Sequence, residues 1–156
     1  MPSLPDFKLE TYFSKWEFNV KFNMCASDTE AIPMRELLDM ASEEDKKAWE
    51  NLHLGYTETY GSPKLREAIA NTYNSLKSKH ILTFAGAEEG IYVAMKSILN
   101  NKDHAIVINP NYQSSETLPD SICEISGVSL DPKNDWNLDM NEIENAIKSN
   151  TKLISI

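Results

Sequence analysis

The rhythm of apolar positions changes along the chain. Residues 1–23 carry scattered aromatics (Phe7, Tyr12, Phe13, Trp16, Phe18, Phe22) without a long regular period, the pattern of an arm that packs its rings onto another surface. After Pro33, Leu37, Leu38 and Ala41 share one face of a short helix over 34–41. Ser42 then caps a second short helix that runs through Trp49. Gly55 to Gly61 reads as a loop bearing Tyr56 and Tyr60. Ser62-Pro63 is a helix start, with Ser at the N-cap and Pro at the first helical position. Leu65, Ala68, Ile69 and Thr72 carry one face of that helix to about Asn74.

Beyond residue 80, short apolar runs alternate with helical periodicity. Strands are predicted at 81–84, 105–108, 122–126 and 152–156. A turn at Gly86 leads into a helix through Leu99 with Ile91, Ala94, Met95 and Ile98 on its inner stripe. A short helix is predicted over 114–118. Another follows Asp139, which with Glu142 forms a capping box flanked by Leu138 and Ile143 at the staple positions. Apolar strands separated by helices indicate an α/β fold with a mostly parallel sheet covered on both faces. The last run, from Lys152 to Ile156, ends without the connection and helix that would cover it, so the domain is expected to continue past this sequence.

Composition narrows the function. The formal charge of −9 and the lack of a Lys/Arg run argue against a nucleic-acid partner. The run Ser42 to Lys47 mixes signs and reads as a solvated helix face. Cys25 and Cys123 lie far apart, lack metal-ligand spacing and read as reduced thiols of a cytoplasmic protein. His53, His80 and His104 show no metal spacing and read as ordinary surface or strand-end residues, so no metal is expected. The first residues lack the basic and apolar regions of a signal peptide, and no apolar stretch reaches membrane-spanning length.

Parallel α/β sheets bind ligands at the carboxyl ends of their strands, and two such ends are distinctive here. The segment from Phe84 to Gly90 passes from strand through small residues into a helix, where free N–H groups and the helix dipole attract anions. The plainer reading is a tight strand-to-helix turn with no ligand. It fits neither G-x-x-x-x-G-K-[ST] nor G-x-G-x-x-G. At the second end, Asn109-Pro110-Asn111-Tyr112, the flat ring of Tyr112 could stack on a flat cofactor or pack on its own loop.

Four segments in order resemble the class I/II aminotransferases, the fold-type I pyridoxal-phosphate enzymes. Tyr56 to Ala70, with Gly61, Leu65-Arg66 and Ile69-Ala70, is similar to the family's Tyr-x-x-x-x-Gly-x-x-x-Leu-Arg-x-x-Ile-Ala stretch. Ala85 to Gly90 resembles its phosphate turn, Asn109 to Tyr112 its Pro-x-aromatic loop, and Thr151 to Ile156 the strand before its Asn-Pro-x-x-Pro-Thr-Gly motif. The match covers 50–156 well, 24–41 loosely, and the aromatic first segment hardly at all.

The resemblance implies an arm and small-domain segment over 1–48 and an incomplete cofactor-binding large domain over 49–156. It implies pyridoxal 5′-phosphate as cofactor, amino acid and 2-oxo acid substrates, and a homodimer. Gly86, Ala87 and Glu88 would offer backbone N–H groups to the cofactor phosphate, Tyr112 would stack on the pyridine ring, and Tyr56 would reach the partner subunit's site. Judged alone, Tyr56 reads equally well as a loop residue filling the dimer interface. Ser27 and Asp28 would lie close to substrate. Glu88 stands where relatives carry a hydroxyl, so it is expected to contribute only its backbone and to turn its carboxylate away. The lysine that forms the Schiff base is expected beyond position 156, and Lys64, Lys77, Lys96 and Lys102 are not candidates for it. The same scaffold supports lyases, decarboxylases and cyclases. The competing readings are a non-catalytic association module and a nucleotide-binding Rossmann half. The latter wants an acidic ribose-binding residue where Asn109 stands.

Overall fold

The computed structural model describes residues 4–26 and 28–156. The described residues form two compact units, one of those up to Trp16 together with Thr83–Ile156 and one of those between Glu17 and Leu82.

The first unit is built on a three-stranded parallel sheet of order β2-β1-β3, where β1 is His104–Asn109, β2 is Glu124–Ser129 and β3 is Thr151–Ser155. The α/β class and parallel pairing follow the reading of the sequence. Strand β1 is central because Ala105-Ile106-Val107-Ile108 is apolar on both faces, and all four residues are buried. Ile106 and Ile108 join Val128 and Ile143 in the core, with Leu130, Leu138 and Ala146 packed around them. Ile143 lies on the helix that precedes β3, α7 (Met140–Ala146) in chain order. By strand alternation Ala105 and Val107 face the other side of the sheet. Two further helices, α5 (Ala87–Ile98) and α6 (Gln113–Asp120), pack on each other, and α6 packs on β1 and β2.

His104 starts β1 and is fully buried. Its Nδ1 lies 2.8 Å from Thr151 Oγ1 on β3 and its Nε2 2.9 Å from Ser126 Oγ on β2, so one imidazole links all three strands. Desolvation first, and the charge of Lys148 second, hold it below the ordinary histidine pKa, although Glu124 pulls the other way. The expectation of an ordinary strand-end histidine missed this burial. Asp103, just before it, is also buried. Burial works against its charge, but hydrogen bonds from Lys152 and the Asn100 N–H more than offset this and keep its carboxyl below the usual range.

Several boundaries differ from expectation. Residues 81–84 form no strand; Ile81 is extended, but the run joins no ladder of the sheet, and an apolar run without a hydrogen-bonding neighbour is not a strand. Strand β2 begins at Glu124 because the N–H groups of Ile122 and Cys123 are both drawn back to the Pro119 carbonyl. Asp139 caps α7 through the Asn141 N–H at 2.8 Å, the second helical position rather than the third of a capping box. The aromatic first segment contains helix α1 (Lys8–Trp16). Its signal was present: Leu9, Tyr12, Phe13 and Trp16 fall at i, i+3, i+4 and i+7.

The second unit holds α2 (Met34–Met40), α3 (Glu43–Glu50) and α4 (Pro63–Ala70). Both expected serine caps form: Ser42 Oγ accepts from the Asp45 N–H at 3.1 Å and Ser62 Oγ from the Leu65 N–H at 3.2 Å. Lys64 Nζ lies 2.6 Å from Asp45 Oδ1 and ties α4 to α3. Arg66 Nε donates to the Gly61 carbonyl, where the chain turns with φ 95°, and Arg66 Nη1 donates to the Ser78 carbonyl. Helix α4 ends four residues before Asn74, because Thr72 and Tyr73 bond three residues back and tighten the last turn.

Candidate functional site

The first unit brings one group of predicted site residues together. Gly86 is the N-cap of α5 in extended conformation, and the space where its side chain would stand is open. The N–H groups of Ala87 and Glu88 open the helix and have no acceptor within it. Two carboxylates share this turn, and both are engaged by protein donors. Glu89 Oε2 folds back to accept from the Ala85 N–H at 2.8 Å, and Glu88 Oε1 accepts from Ser114 Oγ at 3.0 Å. Ser114 is buried in the first turn of α6, so the Glu88–Ser114 bond joins the N-termini of the two helices.

Tyr112 is the N-cap residue of α6, three residues past the end of β1. Its loop is folded on itself. The Tyr112 N–H donates to Asn111 Oδ1 at 2.7 Å, the Asn111 N–H donates to Glu116 Oε1 at 2.9 Å, and the Asn109-Pro110 peptide is cis. Tyr112 is 40% exposed, so part of the residue is free to meet a ligand. Burial of its hydroxyl, with the charges of Glu88 and Glu10, holds the phenol above its ordinary pKa. Gly127, on the neighbouring β2, leaves room for the Asn109 side chain; a Cβ there would stand 2.7 Å from Asn109 Nδ2.

The remaining predicted residues belong to the second unit. Tyr56 stands fully exposed in its loop beside the equally exposed Leu54, and Asp28 is exposed. Ser27 lies outside the described residues. Among the lysines, Lys64 pairs with Asp45 and Glu44, and the Lys96 ammonium sits 6.0 Å from the centre of the Tyr92 ring. Cys25 and Cys123 are unpaired. Among the described residues there is no group of His, Cys, Asp and Glu able to hold a metal ion, and no helix long and apolar enough to cross a membrane.

Sequence reasoning named Phe7 among the rings of an arm that packs onto another surface but not its partner, and did not anticipate Gln113 and Ser114 as site residues. Phe7 packs its ring 5.1 Å from that of Tyr112 at an interplanar angle of 54°. These contacts join residues far apart in sequence and carry no local period.

The sequence model of the family described as aminotransferase class I and II matches residues 20–156. The chain is 30% identical over 117 residues to the aspartate aminotransferase of Pyrococcus horikoshii, covering 71% of this chain and 30% of that protein. It is 28% identical over 119 residues to the aspartate aminotransferase of Sulfurisphaera tokodaii, covering 70% and 29%. The chain thus spans under a third of the length of these curated relatives. Among solved structures, a PLP-dependent aminotransferase from Streptococcus suis superposes with a TM-score of 0.88 at 25% identity, over 97% of this chain and 42% of that one. An aspartate aminotransferase from Thermotoga maritima gives 0.70 at 19% identity, over 94% and 40%, and supports the fold alone.

Proposed function

Because the chain belongs to the class I and II aminotransferases, whose sequence pattern covers residues 20–156, we propose that the whole protein transfers an amino group between an amino acid and a 2-oxo acid, with pyridoxal 5′-phosphate as its cofactor. The observation that carries this reading is the Glu88–Ser114 bond at 3.0 Å. It joins a helix N-terminus suited to an anion to a loop bearing a half-free aromatic ring, which are the two surfaces a phosphorylated pyridine needs.

The residues fit that group. The open approach at Gly86 and the α5 N-terminus suit a phosphate. The carboxylates of Glu88 and Glu89 would repel it if left loose. The Ser114 hydroxyl and the Ala85 N–H hold them instead, which supports the expectation that Glu88 contributes only its backbone. The cofactor, when bound, supplies the electron sink for the amino-group chemistry. This chain's part is to bind and orient. The N–H groups of Gly86, Ala87 and Glu88 would take the phosphate, and Tyr112 would lie against the ring as a neutral phenol, the ordinary state of a tyrosine near neutral pH. No proton transfer or covalent step is assigned to a lysine of this chain.

Within this proposal residues 1–48 supply the arm and small-domain segment and 49–156 the first part of the cofactor-binding domain. Ser27 and Asp28 lie near substrate, and two copies associate so that Tyr56 serves the partner subunit's site. Full exposure of Leu54 and Tyr56 supports that association. The two free cysteines support a cytoplasmic location.

The test is to incubate the full-length protein with pyridoxal 5′-phosphate and pairs of amino acids and 2-oxo acids, and to follow both products. Amino transfer is expected, together with borohydride-trapped cofactor on a lysine outside residues 1–156. Trapping on a lysine within 1–156 would overturn the assignment of this chain as the binding portion. Cofactor-dependent elimination or decarboxylation without transfer would move the protein to another reaction of the same scaffold.

A further inference from the structure

The N-terminal segment, α5 and α6 line an open pocket of about 380 Å³ whose wall includes Phe7, Tyr92, Gln113 and Leu118. The Gln113 side chain bonds the N-terminal segment at two points. Gln113 Oε1 accepts from the Lys8 N–H at 3.0 Å, and Gln113 Nε2 donates to the Asp6 carbonyl at 2.9 Å. An amide that donates on one side of Phe7 and accepts on the other fixes the backbone of Phe7 at two points, with no charge involved.

Gln113 directly follows Tyr112, so the peptide that carries the Tyr112 ring also carries the clamp on Phe7. The Phe7 ring then sits 5.1 Å from the Tyr112 ring, tilted by 54°, within the range where aromatic pairs attract. Phe7 is half-buried, while 40% of Tyr112 stays exposed. The phenol is therefore braced on one side and open elsewhere.

We propose that Phe7 and Gln113 are positioning residues for the cofactor ring: Phe7, clamped by Gln113, holds Tyr112 in the orientation in which it stacks on the pyridine of pyridoxal 5′-phosphate. This rests on the reading of Tyr112 as the stacking residue. A ring ordered before binding does not have to lose its rotational freedom when the ligand arrives, and affinity gains by that amount.

The experiment is a double-mutant cycle on the full-length protein, stripped of cofactor and titrated with pyridoxal 5′-phosphate. It reads the dissociation constant and the visible circular dichroism of the bound cofactor. Tyr112→Ala is expected to weaken binding about tenfold, and Phe7→Leu or Gln113→Ala about two- to fivefold with reduced dichroism, the scale of one lost aromatic contact. In the Tyr112→Ala background, Phe7→Leu should change nothing further. If Tyr112→Ala weakens binding while Phe7→Leu and Gln113→Ala match the wild type, the positioning role is overturned and the reading of Tyr112 stands. If Phe7→Leu weakens binding equally with and without Tyr112, Phe7 acts through the fold and the role is again overturned. If Tyr112→Ala has no effect, the reading of Tyr112 fails and takes the proposal with it. Should Phe7→Leu lower the melting temperature, Gln113→Ala, which removes only the clamp, decides between these outcomes.

Discussion

His104 should make the fold acid-sensitive as the pH falls below about 6.5. The imidazole is fully buried between Thr151 Oγ1 and Ser126 Oγ. Both partners are hydroxyls that can donate or accept, so hydrogen bonding alone does not forbid the charged form. What disfavours it is desolvation, and then the positive charge of Lys148. Glu124 favours it, but its carboxylate is already paired with Lys148 at 2.7 Å. The folded pKa therefore lies below the value of about 6.5 in the unfolded chain. Above about pH 6.5 both states hold a neutral ring and the stability is complete. As the pH falls further, the unfolded chain takes up a proton that the folded chain refuses, and stability is lost until the folded pKa is passed. The loss cannot exceed about 1.4 kcal/mol per pH unit for one proton. His104→Gln keeps a donor and an acceptor without a titrating group. It should be less stable than wild type near pH 7.5, by about 1 kcal/mol for an imperfectly remade hydrogen bond. That gap should narrow as the pH falls towards about 5. Urea unfolding followed by far-UV circular dichroism at constant ionic strength reads both curves. Parallel pH profiles for wild type and His104→Gln would refute the reasoning. Lys148→Met supplies a second check, because it removes the repulsion and frees Glu124 at once, and should shrink the acid sensitivity.

Other expectations concern packing and caps. Ile106→Ala should cost about 2–5 kcal/mol in urea unfolding, since Ile106 is fully buried in the core with Ile108, Val128 and Ile143. Ile106→Val should cost only about 0.5–1.5 kcal/mol; equal losses would mean that the core is not tightly packed there. Ser62→Ala should cost about 0.5–2 kcal/mol by removing the acceptor of the Leu65 N–H, while Ser62→Asp should retain most of the stability. Gly127→Ala should cost no more than about 1 kcal/mol, because its Cβ would stand 2.7 Å from Asn109 Nδ2, the end of a half-buried side chain that can swing aside. Adding Asn109→Ala should recover much of that loss, and full additivity of the two changes in thermal unfolding would show that the clash is not its source.

The sequence reveals the parts of this protein whose causes are local. Strand β1 is legible because four consecutive apolar residues need cover on both faces. The caps at Ser42 and Ser62 are legible because each serine bonds an N–H three residues ahead. The same logic misreads 81–84, where the run is apolar enough for a strand but the property that makes one, a paired neighbour, is not written in the run. It also underreads His104, whose burial depends on hydroxyls 22 and 47 positions away. The candidate site divides along the same line. The small residues after Phe84 and the ring after Asn109-Pro110 stand out because a ligand at a strand end needs close backbone approach and a flat surface. The side chains that hold those surfaces do not. Ser114 restrains Glu88 across 26 positions, and Gln113 grips Asp6 across 107. Such supports have no spacing rule, because they answer to where the chain returns in space rather than to the chemistry of a ligand. A search for the determinants of cofactor affinity in this chain should therefore begin among Phe7, Gln113 and Ser114, residues that belong to no motif and touch those that do.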